Sequence, residues 1–188
     1  GLSSRTLRAV SALLPIAYYC YRRELDETFL TAAKHRDDRE AIKGWLLRSL
    51  LKTNFWGGGT DTLLSTIRAA IRGHGTERFP VDAIETAMSL RSRSLRFDED
   101  EIQHLADLAY SDRRTLPLLS LLFPFIDVRD NFHIDHIFPR SRFTSARLKK
   151  AGVGEVAAGR MQALYDRLPN LQLLFGAEFD LQGRYDVG

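Results

Sequence analysis

His133, Asp135 and His136 fall within four residues of one another in the stretch NFHIDHIFPRSRF, residues 131–143, an otherwise apolar run that stops at Pro139. Burying polar groups without partners costs several kcal/mol each, so side chains of this kind in such a run ask for a job. An aspartate beside a histidine supplies a hard oxygen ligand for a divalent cation and a base whose ordinary pKa is about 6.5. Those are the two parts needed to hydrolyse a phosphodiester with one metal ion. The cation neutralises charge on the phosphate and leaving oxygen, and the imidazole takes a proton from the attacking water.

In a strand, alternate side chains share a face, so His133 and Asp135 point one way while His136 points with Ile134 and Phe138. Asp135 and His136 can cooperate only where the strand bends or ends, and Pro139, which cannot extend a ladder, makes an end there plausible. Arg140, Arg142, Arg147, Lys149 and Lys150 follow within a few positions. They could hold a phosphate backbone on either side of a cleaved bond; alone, they would read as a solvated charged face.

The elements that must position these residues divide at about residue 127. Before it, apolar residues recur at helical spacing in Leu7, Val10, Leu13 and Leu14, in Ile42, Trp45, Leu46 and Leu50, and in Leu63, Leu64, Ile67 and Ile71. WGGGTD at 56–61 breaks the pattern and offers Thr60 or Asp61 as an N-cap, and RGHGTERFP at 72–80 ends the next helix. Asp98 with Glu101 resembles a capping box ahead of a buried stripe of Ile102, Leu105, Ala106 and Ala109, with His104 at the surface. Residues 116–125 are apolar nearly all round and predict the central helix of a bundle, ended by Pro124. Beyond Asp127 come a β-type run, HIDHIF, two short helices, and a second β-type run, LPNLQLL. The expected fold is mainly α, a helical platform over 1–127 carrying a small α+β unit over 128–188.

The composition suits such a protein. With 44% hydrophobic and 27% charged residues, the chain lies well away from the disordered class. No apolar stretch approaches the roughly 20 residues of a membrane helix, and the first residues lack the succession of a signal peptide. A cytoplasmic protein with no membrane partner is expected. The lone cysteine, Cys20, sits among tyrosines and reads as a small core residue. The net charge is only +3, but the cations are 22 Arg to 5 Lys. Arginine forks suit phosphate, which is weak support for a nucleic-acid partner. His35 and His74 read as solvated, and Trp45 and Trp56 as packing residues rather than base-stacking platforms.

HIDHIFPRSRF followed by LPNLQLL resembles the D-H-[IV]-x-P start and downstream Asn of the HNH, or ββα-metal, nucleases. It is most similar to the C-terminal domains of GmrSD-like modification-dependent restriction enzymes and SspE-like phosphorothioate-sensing phage-defence proteins. The helical segment IKGWLLRSLLKTNFWGGGTDTLLSTIRAAI looks like the region that joins their nucleotidase-like or sensor domain to the nuclease. The resemblance implies a metal-dependent DNA endonuclease or nickase using Mg²⁺ or Mn²⁺, with double-stranded DNA as partner and an N-terminal sensor domain on a longer chain. It implies Asp135 as a metal ligand, His136 as general base, and Asn170 as the residue that ties the loop and orients the histidine. His133 falls at a variable position and could be a further ligand, a supporting partner or a DNA contact.

One departure stands out. The family carries a third His or Asn ligand within about ten residues of Asn170, where this chain has FGAEFDLQGRYDVG with Phe179 near the expected place. Either Asp180 or Glu178 substitutes, or the domain is inactive, or a segment near Leu174 and Phe175 is missing, which is the favoured expectation. A structural zinc site is disfavoured by the absence of a cysteine cluster. A His-Asp phosphohydrolase is disfavoured by the Asp-His order in a β-type run. A catalytically inactive DNA- or partner-binding module remains the alternative.

Overall fold

A computed structural model of the chain describes residue 7, residues 9–125 and residues 132–175. The described residues are mainly helical, with eight α-helices and one two-stranded antiparallel sheet. They form two compact units divided at Asp98/Glu99. The division expected at 127/128 therefore falls about one helix pair earlier, because the two helices after Glu99 belong with the strands. No helix among the described residues is long and apolar enough to cross a membrane.

The unit Leu7–Asp98 contains α1 (Leu13–Arg22), α2 (Arg36–Leu51), α3 (Thr60–His74) and α4 (Val81–Ser89). In α2, Ile42, Trp45, Leu46 and Leu50 are buried as their spacing predicts, and Leu63, Ile67 and Ile71 do the same in α3. The ring of Phe79 lies 5.3 Å from both Tyr19 and Trp45, and Trp56 stands edge-on to Trp45 at 6.0 Å. A buried carboxylate ties three segments at this point: Asp38 accepts the Tyr19 hydroxyl at 2.5 Å and the Phe79 backbone N–H at 2.6 Å. Burial, and then the bond to Asp38 and its negative charge, push the Tyr19 phenol well above its ordinary range.

Two local expectations are corrected here. Val10, Leu13 and Leu14 are exposed, and α1 turns Pro15 and Tyr19 inward instead. The large Tyr19 ring finds its place because Asp38 satisfies its hydroxyl, a pairing that apolar periodicity does not register. Thr60 and Asp61 are not the N-cap of α3. Gly59 takes that position at φ 63°, a left-handed conformation glycine adopts without a Cβ penalty.

The second unit holds α5 (Glu99–Ala106), α6 (Thr115–Leu122), β1 (Phe132–His136), α7 (Ser145–Lys150), α8 (Glu155–Leu164) and β2 (Leu171–Phe175). Nothing in α5 is buried, and Ile102 is 50% exposed, so the stripe expected there does not face a core. His104 is at the surface, as expected. α6 is buried from Thr115 to Ser120, but it packs on β2 rather than at the centre of a helical bundle. An all-round apolar segment announces burial without announcing its partner. β1 and β2 pair antiparallel from Phe132 opposite Phe175 to His136 opposite Leu171. Leu174 and Phe175 both belong to the ladder, opposite His133 and Phe132. Outside the strands, Ala109 pairs with Arg167 through Tyr110 N–H to the Asp166 carbonyl and Leu168 N–H to the Leu108 carbonyl, both 2.9 Å.

Candidate functional site

β1 ends at His136, and the chain then turns through Ile137 and Phe138 to Pro139, held at φ −64°. The turn is fixed from the other strand. Asn170, buried at the foot of β2, accepts the Phe138 N–H through Oδ1 and donates through Nδ2 to the Phe138 carbonyl, both at 2.9 Å. The same amide donates to the Tyr165 carbonyl at 2.7 Å, while the Asn170 carbonyl accepts the Ile137 N–H at 2.8 Å. A buried side-chain amide is thus satisfied by closing the loop after β1 onto the loop before β2. Asn170 ties the loop after β1 to the loop before β2.

His136 is largely buried, with a side chain 20% exposed, and its Nε2 lies 2.9 Å from Oδ1 of Asp166. A carboxylate oxygen can only accept, so Nε2 carries the proton, and in the neutral ring Nδ1 is left with its lone pair. Among the described residues nothing occupies Nδ1. Two tyrosines lie nearly parallel to the imidazole, Tyr110 at 5.0 Å and Tyr165 at 6.0 Å between ring centres. The Arg140 guanidinium sits 5.5 Å over the Tyr165 ring. Arg140, Phe143, Thr144, Ser145, Gln162 and Tyr165 line a cavity of about 340 Å³ beside this stack. Gln162 shapes it by donating to the Phe143 carbonyl at 2.9 Å and to Ser145 Oγ at 3.0 Å. The arrangement can fix one tautomer of a histidine and present its free nitrogen as a proton acceptor.

His133 and Asp135 leave the opposite face of β1, across from Leu174 and Gln172. The strand does end where the two functions meet, yet Asp135 and His136 remain on different faces, and the structure pairs His136 with Asp166 instead. Asp180 and Glu178 lie outside the described residues. Among the described residues no three His, Cys, Asp or Glu side chains come together as a metal cluster. The donor set on the outer face is therefore an imidazole and a carboxylate. That set fits Mg²⁺ or Mn²⁺, which take one or two protein ligands and complete their shell with water and phosphate oxygens.

The five cations are all exposed, Arg140 and Arg142 on the turn after Pro139 and Arg147, Lys149 and Lys150 on α7. None forms an ion pair among the described residues. Three residues of this site were not singled out by sequence. Asp166 and Tyr165 stand just before LPN in YDRLPN, where proximity to Asn170 was an available signal. Tyr110 carried none, because the pairing of Ala109 with Arg167 alone brings it to His136. No known family model matches the chain, and no curated protein matches it.

Proposed function

We propose that this chain is the metal-dependent, HNH-type nuclease region of a DNA-cleaving defence protein, hydrolysing phosphodiester bonds with His136 as general base. The observation that carries this reading is the hairpin itself. His136 ends β1 with Nε2 held by Asp166, and Asn170 fastens the following loop by both its amide groups. Downstream, the exposed cations of the turn and α7 suit a polyanion.

Asp135, with His133 beside it, would hold Mg²⁺ or Mn²⁺, and the bound cation supplies charge neutralisation at the phosphate. The chain's own residues do the rest. Asp166 keeps the Nε2 proton in place, the neutral ring takes the proton of an attacking water at Nδ1, and Arg140 and Arg142 engage phosphates on either side. One such site addresses one strand, so an open-circle plasmid is the expected product. The prokaryotic restriction or anti-phage setting, and a sensor domain on the same longer chain, rest on the resemblance of HIDHIFPRSRF and LPNLQLL alone.

The separation of Asp135 and His136 onto two faces of β1 favours a second reading, a DNA- or partner-binding module that does not cut. Supercoiled plasmid incubated with Mg²⁺, Mn²⁺ or EDTA separates the two. Nicking that needs metal and is lost in His136→Ala supports the nuclease, whereas DNA binding without strand cleavage supports the module.

A further inference from the structure

The two residues between His136 and Pro139 form an apolar tip that faces solvent. Phe138 is 61% exposed and Ile137 46%. Aromatic side chains ordinarily contribute their large area to a core or an interface, and this one is withheld from the core by its own backbone. Phe138 is gripped at N–H and carbonyl by the buried Asn170 side chain, Ile137 N–H is bonded to the Asn170 carbonyl, and Pro139 fixes the exit. The tip is preorganised as well as exposed.

Its surroundings define what can cover it. Arg140 and Arg142 follow at once and Arg147, Lys149 and Lys150 lie beyond, all exposed and without an acidic partner among the described residues. A second copy of this chain meeting the tip symmetrically would press the same cations together. A polyanion with an apolar interior would not. Proteins that kink DNA use this combination, an apolar wedge between base steps with cations on the flanking phosphates.

We propose that Phe138, with Ile137 beside it, inserts between stacked base pairs and kinks the duplex at the strand presented to His136. The inference rests on the DNA-cleaving reading and adds how the site opens its substrate. An unstacked step frees the phosphate from the regular helix and lets it approach a histidine that is itself recessed.

The test uses the full chain as the His136→Ala variant with EDTA, so that plasmid stays intact. Closed circular plasmid is relaxed by a type IB topoisomerase, which needs no metal, in the presence of the protein, and the topoisomers are resolved after deproteinisation. The wedge unwinds the helix, so the distribution is expected to shift to lower linking number. Adding Phe138→Ala is expected to abolish that shift while DNA affinity falls by no more than about tenfold, and Phe138→Leu to keep part of it. An equal shift by Phe138→Ala overturns the wedge. So does DNA binding with no shift, which leaves the nuclease reading standing if the parent protein nicks. Absence of DNA binding overturns both. A dimer that Phe138→Ala dissociates, with linking number unmoved, assigns the tip to a second copy and overturns the wedge.

Discussion

At the scale of single residues, the informative pair is His136 with Asp166. Asp166 accepts the Nε2 proton at 2.9 Å and so decides which nitrogen is free. On the proposed nuclease reading it is a positioning residue, and its replacement is expected to act through the histidine. If the chain cuts DNA with His136 as its base, as proposed above, His136→Ala should lower cleavage by about 10²–10⁴-fold, the usual share of a general base. Asp166→Asn should lower kcat by about 10–100-fold, as loss of a histidine's orienting carboxylate does elsewhere, with KM little changed. Groups that act as a unit are not additive. In a His136→Ala background, therefore, Asp166→Asn should cost nothing further, and an independent additional loss would sink this role.

At the scale of elements, the cations divide between the turn after Pro139 and α7. Arg147 and Lys150 are three positions apart on α7 and share a side of it. If they neutralise phosphates, Arg147→Glu with Lys150→Glu should weaken DNA binding uniformly across sequences. The slope of log affinity against log salt should shrink by about one for each lost contact. An unchanged slope, measured by fluorescence anisotropy between low and moderate salt, would remove α7 from the interface. The elements also show what the sequence could disclose. β1, β2, α7 and α8 follow from local signals, since strand alternation and Pro139 act within a few residues, whereas the tie made by Asn170 was expected only from the family resemblance. α5 and α6 were misplaced because burial pattern records that a face is covered and not by what. α6 is covered by β2, and Ile102 of α5 by nothing among the described residues that buries it. Asp166 and Tyr110 were invisible for the same reason, their meeting at His136 being made by a long-range backbone pairing of Ala109 with Arg167.

At the scale of the whole molecule, each unit keeps its own tie between distant segments, Asn170 in one and Asp38 in the other. Only the second has a pH signature. The fold favours the neutral Tyr19 phenol, first through burial and then through Asp38, so the folded pKa is raised. The stabilisation is full below the unfolded phenol's pKa of about 10 and is lost as pH rises past it toward the folded value. Tyr19→Phe leaves Asp38 short of a donor and should cost about 1–3 kcal/mol at neutral pH. Its denaturation midpoint should then approach that of the parent above pH 10. Parallel midpoints from neutral to strongly alkaline pH would contradict this.

The same neighbourhood holds the sole thiol of the chain. Cys20, on α1, is half-buried, and burial followed by the Asp38 charge pushes its pKa up. Thiolate is the species that maleimides and iodoacetamides attack, so at neutral pH this residue is a poor target. A cysteine placed at an exposed position such as Arg142 would outcompete it, and a fluorophore could be attached there without first removing the native sulfur.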